Sequence, residues 1–146
     1  MESVATDLQS TLKLADRMLE IPEAQASLRP SPGKWSRKEI LGHLIDSAAN
    51  NHQRFVRLQL NPRVEIPGYD GDEWVRVQRY QDRPWAELIG LWRMYNTQLA
   101  AVIRHVDTGA LGHIWHTPEG KDLDLGFLIR DYVVHLKHHL NQILPK

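Results

Sequence analysis

The chain contains no cysteine. That absence removes disulfides, thiolate metal sites and thiol nucleophiles together, so any side chain that holds a metal must present nitrogen or oxygen. Excess charge of one sign is missing too, because 18 Lys plus Arg balance 18 Asp plus Glu. With no global field and no helix carrying a run of basic residues, binding to nucleic acid or to an anionic membrane is not expected. No apolar run is long enough to span a bilayer, and the opening MESVATDLQSTLKLADRML lacks the basic start and unbroken apolar stretch of a signal peptide. A cytoplasmic protein is therefore the expectation. Sustained strand alternation, internal repeats and low-complexity tracts are absent as well.

What is present reads as helix. At 146 residues the chain can bury a core without cross-links, and residues 1–146 are expected to form a single domain. Four segments carry the helical repeat of apolar residues. The first runs from about Thr6 to Leu19, with Leu8, Leu12, Ala15 and Leu19 on one face, and is spent by Pro22. The second opens at WSRKEI, where Ser36 and Glu39 have the spacing of a capping box and Trp35 and Ile40 that of a hydrophobic staple; it should stop near Asn61-Pro62. The third starts after Asp82 with Pro84 in its first turn and runs to about Gly109, and the fourth runs from Asp122 or Asp124 to Pro145. The stretches between are rich in Pro, Gly or Asp, and NPRVEIPGYDGDEW reads as one long polar loop. The fold class is all-α, a four-helix bundle with long connections.

The fourth segment contains HLKHHLNQIL, three histidines inside a core helix. At about 100° per residue, His135 and His139 lie about 40° apart on the wheel, at the border of the apolar stripe, and His138 points further out. The i, i+4 spacing stacks two imidazoles on consecutive turns, where both can reach one ion. Two ligands make a weak site, and a third must come from another helix. The second segment offers His43, which borders its own core stripe, and His52, which sits on the far edge and is the poorer candidate. The alternative is that these are inert side chains with an apolar body and a polar tip. No HExxH signature is present, so no protease-type general base lies within the motif. The remaining pair, His113 and His116, lies in the loop LGHIWHTPEGK with no periodicity to orient it, and His105 suits a helix C-terminus.

Taken in order, GKWSRKEILGHLIDS, the loop GYDGDEW and HLKHHLNQI resemble the DinB/YfiT-like superfamily of metal-dependent bacterial enzymes. No single block is specific, but their order and separation cover most of the chain. The resemblance implies a divalent ion, zinc or nickel, held by one histidine of the second helix and an HxxxH pair of the fourth, with solvent completing the shell. By motif those positions are His43, His135 and His139. It also implies a homodimer and a small-molecule substrate. Within the family the resemblance is nearest the YfiT-like branch, which implies transfer of a low-molecular-weight thiol of the bacillithiol type to an electrophile, or else hydrolysis of a small substrate.

Three neutral imidazoles leave a metal its full charge and open positions, the arrangement of a catalytic rather than a closed structural site. Water or a thiol bound there loses its proton near neutral pH, and a substrate oxygen can be polarised. No catalytic side chain is assigned. Asp46 and Asp131 are the carboxylates nearest in sequence to the three histidines and are candidates to fix their tautomers; both could equally be solvated surface charges. Tyr69, Asp70 and Trp74 are candidate substrate contacts if the loop folds over the site, although Trp74 suits a core anchor for that loop. The rival readings are a non-catalytic metal- or ligand-binding bundle and a dimerisation module.

Overall fold

The computed structural model describes residues 1–145. Among the described residues the α-helices and strands follow in order: α1 (Glu2–Thr11), α2 (Leu14–Leu19), α3 (Glu23–Ala26), α4 (Arg37–Leu60), β1 (Arg63–Val64), α5 (Gly71–Gln78), α6 (Trp85–Arg104), β2 (Ile114–His116), β3 (Asp122–Asp124) and α7 (Leu125–Ile143), with short 3-10 turns at Tyr80–Asp82 and Thr108–Ala110. The expected first helix is two, α1 and α2, separated by a turn at Leu12 and Lys13 that keeps right-handed helical angles, so its apolar face continues across the break. That pair, α4, α6 and α7 make the four-helix bundle.

Local chemistry sets the helix ends. Ser36 and Glu39 form the full capping box, side chain to backbone in both directions, and so satisfy two donors that a helix start leaves orphaned. At the other end α4 stops at Leu60, one residue before Asn61-Pro62. Asp124 accepts the backbone N–H of Phe127 at 2.7 Å and starts α7. Pro84 is the N-cap of α6 rather than a member of its first turn.

Helix α4 packs against α6 and α7, and α1 packs against the same two from the opposite side. Direction follows from named contacts. Ser36 at the start of α4 bonds Gln81 just ahead of α6, and Gln59 near the end of α4 accepts the Asp107 N–H just beyond α6, so α4 and α6 are parallel. His43 meets His135 while Phe55 meets Tyr132, so α4 and α7 are antiparallel. Parallel neighbours need a return connection. With 24 residues α4 is about 36 Å long, a span that takes about ten residues of extended chain to retrace.

That return is not the single polar loop expected from its composition. It contains β1 and α5, and Asp70 is the α5 N-cap, accepting the Glu73 N–H at 3.2 Å. β1 pairs in parallel with β2, and β2 pairs antiparallel with β3, so the stretch around LGHIWHTPEGK is a small hairpin rather than a loop. The strands are too short to show alternation in sequence.

The core runs through the bundle and includes Leu8, Leu41, Phe55, Trp92, Leu99 and Tyr132, each within 2% of full burial. Burial of each such side chain contributes roughly 1.5–3 kcal/mol. A deep polar link between α6 and α7 is satisfied: the Tyr132 hydroxyl donates to Asn96 Oδ1 at 2.5 Å and Asn96 Nδ2 donates to the Trp92 carbonyl at 2.9 Å. No helix among the described residues is long and apolar enough to cross a membrane.

Candidate metal centre

Antiparallel packing brings the start of α4 against the end of α7, and this joins three histidines separated by up to 96 residues in sequence into one cluster. One ring nitrogen from each of His43, His135 and His139 lies within 4.8 Å of the other two. The rings stand nearly edge-on, with centroids 4.6–5.2 Å apart and planes crossing at 70–77°. Such a set points nitrogen edges at a shared space rather than stacking faces.

His43 Nε2 and His135 Nε2 are 3.3 Å apart. Two nitrogens held by one tetrahedral zinc at about 2.0–2.1 Å stand about 3.3 Å apart, so this pair already has the separation of two ligands. His139 is oriented from outside, because Gln142, one turn on, lies 2.9 Å from its Nδ1. That contact makes Nδ1 the donor and leaves Nε2 as the free ring nitrogen.

The electrostatics agree with ligation. Burial, with His139 and then His135 beside it, pushes His43 down from 6.5 to about 4. Burial also lowers His135, with His139 adding to the effect and Asp131 opposing it. Both rings are thus neutral at pH 7, the form that binds metal. The donor set contains imidazole alone, a chemistry that suits zinc, nickel, copper or iron. On separation and donor type the three residues fit a divalent ion, and the burial of His43 and His135 keeps those two rings in the metal-binding form.

The surroundings hold the cluster tightly. His43 is only 9% exposed, with the Trp35 ring 5.0 Å away on one side. On another side lies the first residue of α5, where a Cβ at Gly71 would stand 3.2 Å from His43 Cε1. Gly42, next to His43, faces the Tyr80 ring so closely that an added Cβ would overlap it. Two cavities adjoin the cluster. One of about 400 Å³ is lined by Trp35, Ile40, Lys34, Asp72, His139 and Gln142. The other, about 180 Å³, reaches from His135 to Ser47, Asn51, Arg54, Tyr69 and Trp115.

The other expected positions separate clearly. His138 is exposed and outside the cluster, although its ring is 5.0 Å from His139. His52 bonds the Tyr95 hydroxyl instead. Asp46 does not serve the histidines: its carboxylate accepts from Tyr80 at 2.6 Å and Gln78 at 2.7 Å, and His43 Nδ1 is buried without a partner among the described residues. Three residues of helix turn Asp46 away from the His43 direction by about 60°, toward α5. Asp131 is exposed and makes no hydrogen bond to His135 among the described residues; it acts there only through its charge. Tyr69 lines the smaller cavity, and Asp70 is spent on capping α5. Trp74 is not a core anchor, being 38% exposed with its ring 5.3 Å from Tyr69; Val75 fills the core position of α5. His113 and His116 are engaged elsewhere, with the Leu58 carbonyl of α4 and with Asp122 of β3, each at 2.5 Å. Sequence reasoning did not assign roles to Gln142 and Arg54. The i, i+3 spacing of His139 and Gln142 was a usable signal for the first.

A family model described as the DinB superfamily matches residues 6–143. The chain belongs to the DinB superfamily. A relative from Oceanobacillus iheyensis, named "Putative metal-dependent hydrolase", is 26% identical over 140 residues, which is 94% of this chain and 78% of that protein. Among solved structures, YfiT from Bacillus subtilis matches with a TM-score of 0.81 at 20% identity, covering 97% of this chain and 81% of that one. It is described as a probable metal-dependent hydrolase with an unusual four-helix bundle topology. At that identity the likeness establishes the fold, and the parallel α4–α6 pair accounts for this DinB bundle's departure from a simple up-down arrangement.

Proposed function

We propose that this DinB-superfamily chain is a metal-dependent enzyme that acts on a small molecule, with His43, His135 and His139 holding a divalent ion, zinc or nickel. One observation carries the reading: one nitrogen from each of three imidazoles lies within 4.8 Å of the other two, and the His43–His135 pair has the nitrogen separation of a tetrahedral edge. A cation held by three neutral ligands supplies charge and open positions, which acidify a bound water or thiol and polarise a substrate oxygen. The chain supplies the rest. Gln142 holds the His139 ring through its Nδ1, and Trp35 and Gly71, the first residue of α5, pack on His43. The 400 Å³ cavity at His139 gives a small molecule an approach to the open side.

Hydrolysis is the reaction that the names of the relatives support. Thiol transfer is the second reading, favoured by the presence of two cavities on either side of the cluster, one for each of two reactants. In that reaction the thiolate sulfur bonds the electrophilic carbon while a carbon–halogen or ring carbon–oxygen bond breaks, its electron pair leaving with the halide or staying on the ring oxygen, which takes a proton from water. The two are separated by assaying zinc- and nickel-loaded protein against ester and amide substrates, and against alkyl halides and epoxides with added thiol. Turnover of either set, lost in His135→Ala, supports the enzyme reading and selects the reaction. Inactivity toward both sets contradicts it.

A further inference from the structure

The face of α4 that carries His43 continues as Ser47, Asn51 and Arg54, each within about 80° of His43 on the helix wheel. Arg54 is out of place there. It is 9% exposed, yet among the described residues it has no acidic side chain at ion-pair distance. Its single hydrogen bond there goes to Asn51 Oδ1 at 3.3 Å. Buried guanidinium groups are normally paired, because an uncompensated charge in the interior is costly.

Trp115 of β2 explains how the group is held. Arg54 Cζ lies 3.9 Å from the centroid of that ring, a cation-π contact that fixes the guanidinium plane and leaves its N–H edge for other partners. Guanidinium carries five donors, and Asn51 takes one. Arg54 lines the same 180 Å³ cavity as His135, and its guanidinium bonds Asn51, three residues nearer the start of α4, where His43 lies. The group is thus a preorganised donor fork inside a cavity that ends at the histidine cluster.

We propose that Arg54 is the substrate-anchoring residue of this site and that the small cavity takes the carboxylate end of a monoanionic small molecule, with its reactive end toward His135. The proposal rests on the enzyme reading above and names its substrate class. In the metal-free chain a carboxylate matches the planar fork bidentately and balances its single charge, whereas a phosphate dianion would leave one charge unmatched. Asp131 at the rim disfavours dianions further. Ser47 and Tyr69 supply hydroxyls along the wall.

The test uses the metal-free chain and sodium benzoate as probe, followed through the arginine Nε–Hε signals in 15N-correlated NMR spectra. Benzoate is expected to shift one arginine signal, absent from Arg54→Gln, and benzamide and inorganic phosphate are expected to bind at least about tenfold more weakly. Affinity should fall about tenfold or more in Arg54→Gln, fall less in Arg54→Lys, and rise in Asp131→Asn, which removes a like charge. Thermal unfolding of each variant reports the fold, and Arg54→Lys serves if Arg54→Gln does not fold. The proposal is overturned if benzoate shifts no buried arginine, if benzamide or phosphate binds as well, or if affinity survives in Arg54→Gln. Metal content of the same samples is measured separately. Arg54-dependent benzoate binding in a chain that takes up no metal would keep the anchor and remove the enzyme reading; metal uptake without benzoate binding would do the reverse.

Discussion

Two histidine pairs in this chain have similar spacing and opposite fates. His135 and His139 stand one turn apart on a 19-residue helix, so their rings share a face, and among the described residues neither ring bonds a carboxylate or backbone carbonyl. His113 and His116 stand three apart in the hairpin region, and each is taken by an acceptor, the Leu58 carbonyl of α4 or Asp122 Oδ1 of β3. A regular element aims side chains together, and the absence of a competing partner keeps them available. Spacing alone supplies neither condition.

The largest effect should come from breaking the first pair while sparing the second. Saturating zinc or nickel, at about a thousandfold above Kd, should stabilise the wild type by about 4 kcal/mol in thermal unfolding. His113→Ala and His116→Ala should keep that response; His135→Ala and His139→Ala should lose it. Next is the floor under the cluster. A methyl at Gly42 collides with the Tyr80 ring, whose hydroxyl is tied to Asp46, so Gly42→Ala should cost about 1–3 kcal/mol in denaturant unfolding and loosen α5 over His43.

The pH dependence of the metal-free chain sharpens the contrast further. His43 is held at about 4, below its ordinary 6.5, so between these values the unfolded chain binds more protons than the folded one. Stability should therefore rise from pH 4 to 6.5 and be fully present above it. His43→Ala should flatten the urea-unfolding midpoint across that window, and a slope unchanged in the variant would assign the effect to other groups. The smallest effect is expected at Gly71, where a Cβ approaches His43 at 3.2 Å and asks for a shift of a few tenths of an ångström. Gly71→Ala should weaken metal affinity about tenfold or less, by competition titration with a chromophoric chelator, with the fold intact.

Much of this arrangement was legible because it is written in local chemistry. Ser36 and Glu39 cap α4, Asp124 caps α7 and Pro62 stops α4, all by bonds or clashes within four residues. The wheel positions of His43, His135 and His139 followed from helical geometry, and the cluster confirms their common direction. What was missed depends on partners far along the chain. The polar stretch conceals α5 although Asp70 and Glu73 carry a capping spacing, because eight residues show too little periodicity. Strands of two and three residues are stabilised by tertiary pairing rather than by alternation. Asp46 looked like a partner for His43 by proximity in sequence, and only the Tyr80 and Gln78 bonds show where it is used. Arg54 looked like an ordinary helix arginine until β2 placed Trp115 against it, 61 positions away.

Metal content by inductively coupled plasma mass spectrometry, on untagged protein, reads the three-histidine site itself. Near-stoichiometric zinc or nickel is expected in the wild type and in His138→Ala, and loss of it in His43→Ala, His135→Ala and His139→Ala. A wild type that holds no metal after incubation with excess zinc or nickel and gentle desalting, or a His135→Ala variant that holds as much as the wild type, would contradict it.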